Sequence, residues 1–170
     1  MIVAKAINPS KLKVDAFRLE FLTALHKMER EIKKDYAKTT ATWKAEKPKF
    51  DSAISLQGGP TLIVDAGGEG LGVKKWNWTD QGTKRHIIKA RKKPRLFFMK
   101  GGTPKTTPGF IGSNAGSKGT SPRSPKQVMH PGTKPRKWTD AITKKWNPKF
   151  KRQMEDAMKI AAHKSGHGIT

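Results

Sequence analysis

The stretch from Trp76 to Met99 constrains the fold more than any other part of the chain. Its sequence, WNWTDQGTKRHIIKARKKPRLFFM, contains two short apolar runs, one tight polar turn and seven Lys or Arg residues. Short apolar runs bounded by Gly and Pro are typical of β-strands. Part of the stretch recurs later, because Gly82-Thr83-Lys84 is repeated as Gly132-Thr133-Lys134. The sequence therefore predicts a strand-rich centre that is covered by two helices, one before it and one after it in the chain.

The first covering helix is predicted at residues 11–39. Its apolar residues recur at intervals of three and four, which places them on one face of an α-helix. These residues are Val14, Phe17, Phe21, Leu25, Met28, Ile32 and Tyr36. The stripe is aromatic-rich, so packing against a sheet fits it better than a coiled-coil seam.

The second covering helix is predicted to run from Ala141 or Ile142 to Ala161, again with apolar residues about four apart. Pro148 interrupts this pattern. Either the helix kinks at Pro148, or Asn147 caps a new helix that has Pro148 in its first turn.

The strands are predicted in two groups. Residues 50–56 alternate in polarity and are followed by a Gly-Gly-Pro turn and a second strand at 61–64, which together indicate a hairpin. A glycine-rich connection at 67–72 lacks the spacing of either phosphate-binding loop motif. Three further strands are predicted at 76–79, with Trp76 and Trp78 on one face, at 86–89 and at 95–99. The last is apolar on both faces, so it should lie inside the sheet or under a partner.

These elements predict one α+β domain over residues 1–170. It has a small, mainly antiparallel sheet backed by a long N-terminal helix and a C-terminal helix, with a long basic loop. That loop, residues 100–126, is rich in Gly, Ser, Thr, Pro and Lys, and alone it cannot offset its own ordering entropy. We expect an arm that contacts neighbouring subunits through Phe110, Ile111, Lys118 and Arg123.

Charge is concentrated in the middle of the chain. The net charge is +23, and residues 81–137 contain fifteen basic side chains and no acidic one. A solvated surface normally mixes both signs, so this stretch favours a polyanion or an acidic protein face as its neighbour. Ten residues are candidates for that contact: Lys84, Arg85, Lys89, Arg91, Lys92, Lys93, Arg95, Lys134, Arg136 and Lys137. The aromatic residues nearby could stack on bases, but strand alternation favours placing most of them in the core.

No catalytic or metal-binding constellation is evident. Cysteine is absent, the carboxylates are scattered, and the His163/His167 pair has no acidic or Cys co-ligand nearby in sequence. We therefore expect no enzyme activity, no cofactor and no metal. No run of about 18 apolar residues occurs, and the N-terminus has no signal-peptide core, so we expect no membrane association and synthesis in the cytoplasm.

Two motifs resemble those of small neck and tail-component proteins of long-tailed bacteriophages, the head-to-tail joining or tail-completion subunits. The first is Trp78-Thr-Asp-Gln-Gly82-Thr83-Lys84-Arg-His86-Ile-Ile-Lys89-Ala90, followed by Leu96-Phe97-Phe98. The second is His130-Pro131-Gly132-Thr133-Lys134-Pro-Arg136, which leads directly into the closing amphipathic helix. Family members more often have Glu where this chain has Gln81. The hairpin at 50–66 and the loop at 100–126 lie outside the likeness.

The resemblance implies a virion structural protein. Its copies would form a ring, typically of six, between the head connector and the tail tube, and the ring would surround the DNA passage. Its partners would be other copies, the neighbouring neck, connector and tail proteins, and genomic DNA in the lumen. A sequence-nonspecific DNA- or RNA-binding protein is the alternative that the charge supports.

Overall fold

The computed structural model describes residues 11–167 and confirms the α+β class. The three helices are α1 Val14–Thr39, α2 Leu71–Asp80 and α3 Trp138–Lys164. The strands are β1 Lys49–Ser55, β2 Thr61–Gly67, β3 His86–Lys89, β4 Phe98–Lys100, β5 Ser121–Arg123 and β6 Gln127–His130. Most of the N-terminal segment considered for a signal peptide lies outside the described residues. None of the described helices is long and apolar enough to cross a membrane.

The described residues fall into two compact units, which cut across the helices. The helical unit holds residues 11–31, 52–63 and 146–167, and the ribbon unit holds residues 32–51 and 64–145.

The core of the helical unit comes from the apolar faces of α1 and α3. Leu25 and Met28 of α1 are buried, as predicted for the stripe. From α3, small residues and one Met are buried: Met154, Ala157, Ala161 and Ala162. The helix α3 is continuous through Pro148, so a new helix capped by Asn147 is the wrong alternative. Proline removes only one N–H from the ladder, and a helix of 27 residues tolerates that loss.

The core of the ribbon unit is a chain of four aromatic rings. Tyr36 lies 5.1 Å from Phe50 and 5.7 Å from Trp76 between ring centroids, and Trp76 lies 6.1 Å from Trp138. The indole nitrogen of Trp76 donates a hydrogen bond of 2.9 Å to the hydroxyl of Thr39, so its polar atom is satisfied.

The strand predicted at 76–79 is wrong, because these residues belong to α2. On a helix, residues two apart point in nearly opposite directions, whereas on a strand they share a face. Trp76 is accordingly buried, with 4% of its surface exposed, and Trp78 is 52% exposed. The predicted glycine connection also differs, since Gly72 is buried inside α2, where a Cβ would collide with the backbone of Glu46.

Within residues 11–167 the strands form three two-stranded sheets instead of the one sheet that was predicted. The β1–β2 pair confirms the predicted hairpin, and β3 matches its prediction. The strand predicted at 95–99 is displaced to 98–100, and it is not enclosed: Phe97, just before it, is 75% exposed.

The β3–β6 and β4–β5 pairs belong to one long antiparallel ribbon. His86 pairs with His130 and Phe98 pairs with Arg123, so the thirteen residues 86–98 on one side lie opposite the eight residues 123–130 on the other. The five extra residues are 91–95, because the N–H of Ala90 bonds to Lys126 and that of Leu96 bonds to Pro125. We call this insertion, Arg91-Lys92-Lys93-Pro94-Arg95, the cationic bulge.

The far end of this ribbon contains the segment predicted as an extended arm. It continues past β4 and β5 through a bridge between Thr103 and Ser117. Its tip, residues 104–116, then turns back, and the N–H of Gly109 donates to the carbonyl of Arg136 at 2.6 Å. The segment 100–126 therefore forms a hairpin that contacts its own chain. Its contact with neighbouring subunits stays a prediction.

Candidate polyanion and partner interface

The two Gly-Thr-Lys turns clasp each other at the base of the ribbon. The N–H of Thr83 donates to the carbonyl of Thr133 at 3.0 Å, and the N–H of Thr133 donates to the Thr83 hydroxyl at 2.9 Å. Gly82 and Gly132 have φ of 79° and 94°, the left-handed region that glycine adopts without strain. Either glycine's Cβ would strike the carbonyl of the opposite threonine. The repeat in the sequence is thus the two halves of one backbone contact.

A histidine pair lies directly above this clasp. His86 and His130 are cross-strand partners, and their ring centroids are 5.0 Å apart. The Nδ1 atom of His86 lies 2.8 Å from the carbonyl oxygen of Lys84, which can only accept, so Nδ1 is the donor. In His130 the roles are reversed, because Nδ1 accepts the N–H of Gly132 at 3.1 Å. Each ring therefore keeps its Nε2 atom outside these backbone contacts.

Nine of the ten predicted contact residues lie on the surface. Those of the ribbon are Lys84, Arg85, Lys89, Arg91, Lys92, Lys93 and Arg95, and those after the clasp are Lys134 and Lys137. Arg95 also donates to the carbonyl of Ser124 at 3.1 Å. The structure collects four of these charges in the cationic bulge and sets Lys84 and Lys134 immediately after the paired threonines.

Arg136 is the exception, and its assignment to the contact surface is corrected here. It is 7% exposed. Its Nε donates to the Thr106 hydroxyl at 2.9 Å and a terminal nitrogen donates to the Lys134 carbonyl at 3.1 Å. Both groups belong to this chain, so Arg136 anchors the ribbon tip and does not present its charge outward.

The predicted arm contacts are divided by the fold. Phe110, in the tip, is half exposed, while Ile111 is partly buried and Lys118 is exposed. Arg123 is not in an arm, because it lies in β5 opposite Phe98.

An apolar groove of about 840 Å³ runs along the ribbon where its register changes. Its apolar lining residues are Ile88, Leu96, Phe97, Phe98, Pro125, Val128, Met129 and Pro131. Apart from His130, the titratable residues of the lining are Lys100 and Arg123, both basic. A groove of this kind suits a partner that offers apolar side chains among carboxylates.

A mixed cleft of about 550 Å³ lies beside the clasp. It is lined by Trp43, Lys44, Ala45, Lys75, Trp78, Thr79, Thr83, His86, His130 and Thr133. Sequence reasoning named several of these residues but did not bring them together. The signal that could have done so is Trp78, whose exposure follows only if residues 71–80 are helical.

Asp80 fixes the chain that follows the clasp. Lys137 precedes α3 with φ of 53°, and its N–H bonds to the Asp80 carbonyl at 3.0 Å. The carboxylate of Asp80 accepts the first two N–H groups of α3, from Trp138 and Thr139. Asp80 therefore caps α3 from the end of another helix.

Within residues 11–167, no three His, Asp or Glu side chains come close enough to hold a metal ion. The fold and the site define a class of chain, a small α+β protein with a clasped cationic ribbon. Comparison with protein-family models, with curated proteins and with solved structures finds no match.

Proposed function

We propose that this chain is a virion structural subunit of a long-tailed phage. In this proposal its copies form a ring at the head–tail junction, which joins the tail to the head connector and surrounds the DNA passage. The likeness of the two Gly-Thr-Lys motifs suggests the family. The observation that carries the proposal is the apolar groove of the ribbon, whose charged lining is basic.

Exposure of the apolar side chains of the groove to water is unfavourable. Phe97 is 75% exposed, and Met129 is nearly half exposed. Covering one large apolar side chain stabilises a complex by roughly 1.5–3 kcal/mol before the costs of association. A subunit whose groove is covered by a neighbour gains this free energy, less those costs, which supports a role in forming interfaces.

Charge decides which surface can cover the groove. Residues 81–137 contain no acidic side chain, so two copies of this face repel each other and a two-fold dimer through it is disfavoured. Residues 1–80 contain ten acidic and fourteen basic side chains, a net charge of +4 against +15 for residues 81–137. A head-to-tail contact, in which this face meets the less basic part of another copy, lessens the repulsion. Head-to-tail contacts close into rings when the rotation permits, which is the geometry that the proposal needs.

The assembly proposal is tested by placing a carboxylate in the groove. Phe97→Glu should prevent ring formation by the purified protein at concentrations where the wild type assembles, as measured by sedimentation and by electron microscopy. Ile63→Glu is the matched control, because Ile63 is an exposed apolar residue of β2 that does not line the groove. The proposal fails if F97E assembles like the wild type, or if a particle map places the chain away from the neck.

Sequence-nonspecific nucleic-acid binding is the second candidate, favoured by the exposed cationic bulge. It predicts that log affinity for DNA falls steeply as log salt rises, because phosphate contacts release counterions. Filter binding at two salt concentrations measures this slope. Replacing Lys92 and Lys93 by Gln should reduce the slope by about 2 if both contact phosphate. F97E should leave it unchanged, so the two candidate functions separate.

A further inference from the structure

The mixed cleft beside the clasp contains an exposed indole, a histidine pair and lysine side chains. We propose that this cleft binds one nucleotide unit, with its base against Trp78 and its phosphate toward the basic side. The inference does not rest on the ring proposal, since neither the groove nor assembly takes part in it.

Trp78, on the aromatic side of the cleft, is not one of the core rings of the ribbon unit. Trp76 already completes the chain of core rings, and its indole nitrogen is bonded to Thr39. Trp78, two residues later, is 52% exposed and lines the cleft with Trp43. An indole face in water next to basic groups is the arrangement on which bases stack, and stacking accepts any base.

The polar side of the cleft supplies donors for a phosphate. His130 uses Nδ1 as an acceptor, so its neutral ring carries the proton on Nε2, the atom left outside the turn. Lys44 and Lys75 also line the cleft, and Lys75 forms an ion pair with Glu46. No carboxylate is among the lining residues. A phosphate there would meet Lys44 and the Nε2–H of His130, and it would share Lys75 with Glu46.

The shape of the cleft agrees with this ligand. Its volume of about 550 Å³ falls within the range of pockets that hold small organic molecules. Two histidines without a carboxylate make a poor metal site, and the two lining tryptophans would be unused by a simple anion. A base joined to a phosphate uses both sides.

Such a unit has two sources, a free mononucleotide or one residue of a single-stranded nucleic acid. The test titrates the full chain with AMP, dTMP, adenosine, inorganic phosphate and a fifteen-residue oligo-dT, following tryptophan fluorescence and calorimetry. Binding of mononucleotides indicates the first source. Binding of oligo-dT far above dTMP indicates the second.

Trp78→Ala should weaken the nucleotide affinity at least tenfold, and Trp78→Phe should restore most of it, because a phenyl ring still stacks. Phe97→Ala is the control for loss of an exposed aromatic residue outside the cleft, and circular dichroism checks that each variant is folded. His130→Ala should weaken AMP more than adenosine, because His130 is the ring whose Nε2–H is left as a donor.

Three results would overturn the proposal. The first is that neither a mononucleotide nor oligo-dT binds. The second is that W78A, folded, binds as the wild type does. The third is that inorganic phosphate alone binds as tightly as AMP, which would make the cleft a plain anion site.

Discussion

The carboxylate of Asp80 holds Thr139 by both of its oxygens: one accepts the Thr139 N–H at 3.2 Å and the other accepts its hydroxyl at 2.8 Å. Asp80 is the last residue of α2, and Thr139 is the second residue of α3. A helix start is usually capped by the residue just before it. Here that residue is Lys137, whose side chain has no acceptor, and the carboxylate of Asp80 accepts the N–H groups instead.

Removing this cap should destabilise the protein. Asp80→Ala removes the acceptor of the buried Trp138 N–H and of the partly buried Thr139 N–H, and we expect a loss of about 2 kcal/mol in the free energy of unfolding. Urea denaturation measures it. The control is Asp140→Ala, in the same first turn of α3 but exposed, which should cost no more than about 0.5 kcal/mol. Equal losses in the two variants would contradict the capping role.

The clasp predicts an unequal cost for glycine substitutions. Gly82→Ala places a Cβ 2.6 Å from the Thr133 carbonyl at a positive φ, and Gly132→Ala clashes with the Thr83 carbonyl. Each should lower the free energy of unfolding by more than about 2 kcal/mol. Gly58 also has a positive φ but open space around it, so Gly58→Ala should cost only about 1 kcal/mol. Similar midpoints of thermal unfolding for all three variants would mean that the clasp tolerates the added methyl group.

Trp76 and Trp78 provide a test of the helix α2. Trp76→Ala should destabilise the protein by about 3–5 kcal/mol, because it empties the middle of the aromatic chain. Trp78→Ala should change the free energy of unfolding by about 0.5 kcal/mol or less, since its side chain is exposed. Chemical denaturation compares the two. Comparable large losses would indicate the strand arrangement, in which both rings share a face.

Tyr36 predicts a loss of stability in alkali. Burial raises the pKa of Tyr36 above its ordinary value of 10.0; a hydrogen bond with Thr139 opposes this rise, and the charges of Asp80 and Asp65 add to it. A group whose pKa is raised on folding stabilises the fold below its unfolded pKa. That contribution is present below about pH 10 and is lost as the pH rises through the folded pKa.

The comparison variant is Tyr36→Phe, which cannot ionise. Urea denaturation at pH 8 and at pH 11 should show the wild type losing more stability than Y36F between the two values. Titration of the lysines affects both proteins alike and cancels in the difference. A difference that does not change with pH would show that the phenol ionises as easily in the folded protein as in the unfolded chain.

The contact between Arg136 and Thr106 predicts how the ribbon tip opens. Thr106→Ala removes the acceptor of the Arg136 Nε–H, a bond to a charged group worth about 1.5–3 kcal/mol. Trypsin should then cleave after Lys105 about tenfold faster or more, because the tip opens more often. Thr120→Ala, at an exposed position of the same segment, is the control and should be cleaved at the wild-type rate. If T106A is not cleaved faster, the tip is held by other contacts.

The sequence predicted the elements that show a regular apolar period, but few of the contacts between residues far apart in the chain. The stripe from Val14 to Tyr36 identified α1, because seven residues at regular intervals leave few alternatives. The element that contains Trp76 and Trp78 was predicted wrongly. A ten-residue helix that follows a glycine-rich segment gives a weak helical signal, and two tryptophans two residues apart fit the alternation of a strand. Element type was reliable where the element was long.

In the candidate site, too, the sequence predicted features of single residues but not contacts between distant ones. The basic residues of the bulge were identified by charge alone, and they lie on the surface. Arg136 has the same charge but is buried, because its partners Thr106 and Lys134 become neighbours only when the ribbon tip folds back. The repeat of Gly-Thr-Lys was visible in the sequence, but no property of either copy says that it pairs with the other. Pairings across 50 residues are set by the fold.

The register change at 91–95 separates the surface charge of this segment from its strand pairing. In a regular ladder each charged side chain sits on a residue that also pairs with the opposite strand, so a change of charge can also affect the pairing. Here the densest charge sits in residues that the ladder skips, between pairs that are fixed on both sides. A related sequence can lengthen, shorten or neutralise this insertion to suit a different neighbour, and the partners of His86 and Phe98 stay the same.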